Sequence, residues 1–417
     1  VCHNVAFYLY KLALPLTLSP QYPLPDAADV RADHGPFLAG IVVTALLVLL
    51  FAWAVRRGRR AVVAGLAGFF LLIGPAIGMV NFMGAIAADR FLYLPMLMML
   101  AALTPATAAW ADGRRGRTYL LIGVAAVLVV ALGVKTYRQQ SVWRDSFTYW
   151  DAVAAYAPDE PVVFFGRGSA FHERYVQGDP TGQQARTDLG QAEAMFTETL
   201  RRDPRHWSAY VRLAMVLLDQ ERPAEALDLV GKSFDAPYPQ PEGRFVAGLA
   251  LSRLGRYEAA IPFYEKYLAR LPSRPDGLIN LANALCHVGR WTEALPYYER
   301  LTRLDPTSGE GFYGLGRARM ETGGAAAAIA PLQAARDRMP YDARTRFVLA
   351  ACLAAAQRDD EALAELAAAI RLQPDLAVRA ERQPQFQRLR ETPKWERIQA
   401  LDDSSRRTTP SADSSND

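Results

Sequence analysis

The sequence predicts an all-α protein in two parts, a bundle of four transmembrane helices followed by a solenoid of helical repeats. Three observations carry this. Residues 37–134 contain long apolar runs almost free of charge, whereas residues 145–400 have the composition of a soluble helical protein. The chain averages of 51% apolar residues and a mean hydropathy of −0.01 conceal that split. Prolines at 204, 272, 306, 340 and 374 then recur at intervals of 34 residues or twice that. A length of 417 residues suits two or three such parts.

The first apolar run, Pro36–Val55, is uncharged and stops at Arg56, Arg57, Arg59 and Arg60. About 20 helical residues cross a hydrocarbon core of roughly 30 Å. The second run, 61–80, places Gly74 and Gly78 four apart around Pro75, a small-residue spacing that admits a neighbouring helix. The third, 91–111, carries Pro95 and Pro105, tolerated where neighbouring helices satisfy the freed carbonyls. The fourth, 119–134, ends at Lys135. Arg56, Arg57, Arg59 and Arg60 in the first connection, with Arg114, Arg115 and Arg117 in the third, make those two loops cytoplasmic. Residues 81–90 and the C-terminal repeats then face the other side; Lys135, Arg138 and Arg144 oppose this with fewer charges. Residues 1–36 hold an apolar but short stretch, 5–25, with Lys11 and several prolines, and read as an interfacial or re-entrant segment. The chain opens Val1-Cys2-His3 with no signal peptide, so an N-terminal portion is expected to be missing.

A 34-residue period with a closing proline is the signature of the tetratricopeptide repeat (TPR), a pair of antiparallel helices A and B. Small residues recur in helix A at Ala214, Gly248, Ala282, Gly316 and Ala350, where the two helices of a pair must cross closely. The array spans 161–378 in about six units, because one pair cannot bury its own apolar face. The first unit is 12 residues too long, and a polar loop insertion around 177–189 is the expected cause. Residues 135–160 form a connector and a half-unit, Asp145–Tyr156, that caps the array. A capping helix at 379–401, with Phe386, Leu389, Trp395 and Ile398 facing in, closes the other end, and 402–417 is a disordered tail.

Chemistry-bearing residues are sparse. A net charge of +4 excludes a nucleic-acid partner, and His3, His34, His172, His206 and His287 form no ligand-spaced pair, so neither metal nor cofactor is expected. Cys286 and Cys352 read as small buried hydrophobes, and Tyr264, Tyr297 and Tyr298 as core. Asp89 and Arg90, at the non-cytoplasmic mouth between the second and third runs, suit either contact with a lipid-linked phosphate or an interfacial ion pair. Asn280 and Asn283 occupy inward positions of a helix A. There they either bond the backbone of an extended peptide or serve local packing, and the same positions in other units (Gly314 and Arg317 among them) hold no asparagine ladder.

Three stretches, FYLYKLALPLTLSPQYP (7–23), ADRFLYLP (88–95) and VWRDSFTYW (142–150), together resemble the transmembrane-and-TPR O-mannosyltransferases and their bacterial relatives in the GT-C glycosyltransferase superfamily. The resemblance runs over about residues 5–400. It implies transfer of a sugar from a polyprenyl-phosphate donor to a protein, with the TPR array presenting acceptors or partners on the non-cytoplasmic side. For a bacterium that means the inner membrane with a periplasmic array. The catalytic carboxylates it implies would lie upstream of this sequence, so no catalytic residue is assigned. The alternative is a non-catalytic membrane-anchored scaffold for protein–protein interaction.

Overall fold

The computed structural model describes residues 35–73 and 103–396 apart from Ala106, with Ile398 and short pieces at 9, 22–23, 85–87 and 98. The chain divides into two compact units, 1–209 and 210–417.

In the first unit, α1 (Gly35–Arg56) has 22 residues, about 33 Å of helix, and is long enough to span a bilayer. The left-handed Gly58 (φ +65°) turns the chain into α2 (Arg60–Ile73), whose 14 residues reach only about 21 Å. A second left-handed glycine, Gly113 (φ +67°), precedes α3 (Arg115–Gln140), 26 residues and about 39 Å. Apolar side chains stand exposed along both long helices, Leu49 at 65% and Val129 at 69%, and no described side chain of α3 is buried. Among the described residues, two helices of spanning length therefore stand where the sequence predicted four. The rest of the second expected span and most of the third lie outside the described residues, as do the tail 402–417 and nearly all of 1–34. One small departure from the all-α expectation is an antiparallel pairing of β1 (Tyr22–Pro23) with β2 (Ala85–Ala87). Pro20, Pro23 and Pro25 bar a helix there, and a two-stranded edge accommodates a residue without an N–H.

The half-unit expected at 145–156 is α4 (Ser146–Tyr156), N-capped by Asp145, whose carboxylate accepts from the Thr148 N–H while the Thr148 hydroxyl accepts from the Asp145 N–H. Phe147 packs edge-on against Phe171 of α5 (Pro161–Gln177), and the Trp150 ring lies where a side chain on Gly166 would have to go. Helix α6 (Gln183–Arg202) completes the first pair. The expected loop insertion is corrected here. The connection is only 178–182, and Gln183–Leu189 is helical, so most of the extra length enters the helices, with 17 and 20 residues where later pairs have 13 to 15 and 9 to 14. An internal ion pair rewards this. Asp188, 1% exposed on α6, accepts two hydrogen bonds from the Arg174 guanidinium (2.9 and 2.5 Å) and one from Gln184 (2.8 Å), while Arg174 lies over the rings of Phe147 and Phe171.

Five more pairs follow: α7 (Trp207–Asp219) with α8 (Pro223–Gly231), α9 (Pro241–Arg253) with α10 (Tyr257–Arg270), α11 (Pro275–His287) with α12 (Trp291–Leu304), α13 (Gly309–Gly323) with α14 (Ala325–Arg338), and α15 (Ala343–Ala355) with α16 (Asp359–Leu372). Their boundaries repeat the same local chemistry. Each closing proline at 272, 306, 340 and 374 forces the residue before it out of the α region, and Leu271, Asp305, Met339 and Gln373 are the C-caps. Between A and B the chain passes through a left-handed residue, Gly255, Gly289 or Gly324, with Glu221 and Gln357 in the same role. At 289 the Arg290 N–H reaches back to the Leu285 carbonyl (2.8 Å) and the Gly289 N–H to Cys286 (3.1 Å), which satisfies the helix end. A Cβ on Gly316 would lie 2.6 Å from Leu332, and one on Gly248 2.6 Å from Tyr264, which is why helix A carries small residues at that position. Tyr264, Tyr267 and Tyr298 are buried, as expected for Tyr264 and Tyr298, while Tyr297 is half-buried.

The capping helix expected at 379–401 is a broken chain of short pieces instead. Helix α17 (Leu376–Arg382) stops before Pro384, and single turns at Pro384–Phe386, Gln387–Arg390 and Pro393–Trp395 follow. Phe386, Leu389, Trp395 and Ile398 are nevertheless all buried, and they join the core formed by α14, α15 and α16.

Candidate functional site

The A helices of the second unit frame a cleft of about 330 Å³. Helix α11 contributes Asn283, Cys286 and His287, and α12 contributes Trp291 and Tyr298. Helix α13 adds Glu310, Tyr313, Gly314 and Arg317, and α15 adds Arg344. The 34-residue repeat builds it: Asn283 and Arg317 occupy one helix position in successive units, as do Glu310 and Arg344. Gly314 opens the floor, because a Cβ there would sit 2.2 Å from the Tyr298 ring.

Burial raises the Tyr298 hydroxyl well above its ordinary range, so it remains a donor. It donates to Asn283 Oδ1 at 2.5 Å and lies 3.8 Å from Cys286 Sγ. Burial also pushes the Cys286 thiol up, which keeps it protonated. Glu310 and Arg344 pair at 3.1 Å, and Arg344 holds Asp342 as well at 3.0 Å. His287 stacks flat on Tyr257, 4.0 Å between centroids. Arg317 lies over the Trp291 ring at 5.4 Å and makes no ion pair among the described residues.

The two asparagines are thus separated in role. Asn283 is exposed on the cleft wall, while Asn280 donates to the Asp276 carbonyl of its own helix (2.8 Å) and lies outside the cleft lining. Asp89 and Arg90 lie outside the described residues. Cys352 is buried, but Cys286 is only half-buried and faces the cleft, unlike the small core hydrophobe expected. Sequence reasoning missed Trp291, Tyr313, Arg317 and Arg344 as a group. The signal was present in the repeat: the register partners of Asn280 and Asn283 are a glycine and an arginine, a gap beside a charge rather than a broken ladder. Among the described residues no three histidine, cysteine or acidic side chains gather as a metal site would require.

A family profile described as tetratricopeptide repeat matches residues 183–240, 241–310 and 313–377. Residues 183–377 are tetratricopeptide repeats. No curated protein matches the chain. Among solved structures, YrrB, described as a TPR protein with an unusual peptide-binding site, is 18% identical, with a TM-score of 0.38, over 46% of this chain and 92% of its own. MamA from Desulfovibrio magneticus RS-1, residues 41 to its end, is 22% identical, with a TM-score of 0.38, over 40% of this chain and 96% of its own. The TPR pairs suggest a protein-interaction scaffold, and the cleft lies on the A helices of three consecutive TPR units.

Proposed function

We propose that this chain is a membrane-anchored scaffold that holds an extended segment of a partner protein in the cleft of α11, α13 and α15. The cleft carries the reading: it joins aromatic surface (Trp291, Tyr313) to hydrogen-bonding groups and is built by three consecutive A helices, a length that suits an extended chain. The anchoring half rests on α1 and α3, whose exposed apolar side chains are costly in water and at home in lipid. A photoreactive residue at His287 of the full chain in its native membrane should crosslink a partner peptide that one at Arg303, an exposed residue of α12 outside the cleft lining, does not. Identical crosslinks from both positions would sink the cleft assignment.

The finer proposal is that the partner is an acceptor for sugar transfer. Its support is the resemblance carried by 7–23, 88–95 and 142–150, and it makes Asp89 and Arg90 contacts for a polyprenyl-phosphate-linked sugar. In the full-length protein Arg90→Ala should then abolish transfer while insertion persists; unchanged transfer would return Arg90 to a purely interfacial role. This reading puts the array on the non-cytoplasmic side, the periplasm in a bacterium, and its support is the count of arginines beside the apolar runs.

A further inference from the structure

Of the three arginines around the start of α3, one is spent on structure. Arg117 donates to the Trp110 carbonyl at 3.1 Å, and its guanidinium lies over the Trp110 ring at 4.9 Å, which ties α3 to the helical stretch before the turn. Arg114 and Arg115 are exposed and make no ion pair among the described residues. Both line a cavity of about 380 Å³, together with Asp112 and Thr118. The chain itself fixes their closeness. Asp112, Arg114 and Arg115 stand around the left-handed Gly113, and Thr118 follows Arg115 by three residues on α3, which puts those two on one face of the helix. Ala108 and Ala111 bring only methyl groups to the lining. Apolar surface lies on both sides of the turn: Trp110 before it is 45% exposed, and Leu120 after it is 58% exposed.

We infer that this cavity holds the headgroup of an anionic phospholipid with a singly charged phosphodiester, of the phosphatidylglycerol kind. The inference rests on the membrane-anchor reading above and names the lipid that the anchor selects. Two free guanidinium groups offer forked N–H donors to phosphate oxygens, and the Thr118 hydroxyl adds another donor. Charge decides which phosphate suits. Two arginines and one aspartate leave a local charge that one diester balances, whereas a phosphomonoester brings about −1.5 to −2. Asp112 can accept from the hydroxyls of a glycerol headgroup, a part that a choline headgroup, which has no such donor, leaves unfilled. A lipid suits better than free phosphate because its acyl chains would cover the apolar side chains on either side of the turn, while long arginine side chains reach the headgroup level.

The test mixes the full chain in mild detergent with equal amounts of phosphatidylglycerol, phosphatidylcholine and phosphatidate, and counts the retained lipids by native mass spectrometry. Flotation with phosphatidylcholine vesicles, scored alongside, reads anchoring by itself. The wild type should retain phosphatidylglycerol roughly tenfold better than either other lipid. Arg114→Gln with Arg115→Gln should bring it down to the phosphatidylcholine level, and the double lysine variant should restore part of it. Arg56→Gln with Arg57→Gln removes the same charge from the first connection and should leave the preference intact. Asp112→Asn should admit phosphatidate. All these side chains are exposed, so every variant should float and melt with the wild type. A preference that survives Arg114→Gln with Arg115→Gln overturns the inference, and so does one lost equally with Arg56→Gln and Arg57→Gln, since positive charge anywhere would then suffice. A wild type that prefers phosphatidate, or an Asp112→Asn variant that still rejects it, overturns the singly charged assignment. Release of the lipid by millimolar inorganic phosphate overturns the inference in favour of a free phosphate. Protein that floats but retains all three lipids equally overturns this inference alone; protein that does not float overturns the anchor reading with it.

Discussion

Asp188 shows how a single side chain stabilises one TPR pair. It is 1% exposed, and the hydrogen bonds from Arg174, then that from Gln184, hold its carboxyl below the ordinary carboxylate range despite the opposing effect of burial. A depressed folded value means the stabilisation is complete above the unfolded value of about 3.9 and is lost as pH falls through the folded value. Hydrogen-exchange protection in α5 and α6 should therefore weaken below about pH 4 in the wild type. In Asp188→Asn it should already be weaker at neutral pH, by about 1–3 kcal/mol, with a flatter acid dependence; the half-exposed Arg174 keeps the cost below that of a fully buried pair. An unchanged acid profile in the variant would show that the pair does not control this region. At this scale the sequence was least legible. It could single out Asn283, but not that Tyr298 would bind its oxygen or that Asn280 would turn back on its own helix. Which of two inward asparagines faces a cleft depends on what stands one repeat away, here Gly314 and Arg317.

At the scale of elements the repeat was readable because its causes are local and recur. A proline ends each pair by constraining the residue before it, a left-handed residue turns A into B, and a small residue lets them cross. Two elements resisted. The polar composition of 177–189 suggested a loop, but a helix there buries Asp188 against Arg174, a tertiary gain that local composition does not announce. The capping segment kept its apolar spacing yet broke at Pro384 and Pro393, whose rings cannot continue a helix. The broken form still covers the last pair: Phe386 is fully buried against Phe347 and Trp395. Phe386→Ala should cost about 3–5 kcal/mol and reduce hydrogen-exchange protection first in α15 and α16. Loss spread evenly along 207–372 would instead mean that the array unfolds as one unit and that the cap has no local role.

At the scale of the whole molecule, the described residues hold two helices of spanning length with exposed apolar sides, whereas the six repeat pairs bury theirs. Of the other two expected spans, the described part of the second is the 14-residue α2, too short to cross alone, while 74–80 and most of 91–111 lie outside the described residues, so the count of four rests on apolar runs alone. The proposal that the repeats lie on the non-cytoplasmic side rests on seven arginines in two connections against three basic residues after the fourth run. Ser414→Cys, with Cys2, Cys286 and Cys352 replaced, should label with an impermeant thiol reagent before the inner membrane is permeabilised; labelling only afterwards would put the array in the cytoplasm. The claim that joins anchor and cleft is tested most directly by vesicle flotation. The full chain is reconstituted in phospholipid vesicles without detergent, mixed with a fluorescent peptide of the partner segment that crosslinks at His287, and spun through a density gradient. Protein and peptide should rise together, and with Trp291→Ala and Tyr313→Ala, which remove the aromatic surface of the cleft, the protein should rise while most of the peptide stays below. Protein that remains at the bottom, or peptide that rises equally with the variant, would contradict that claim.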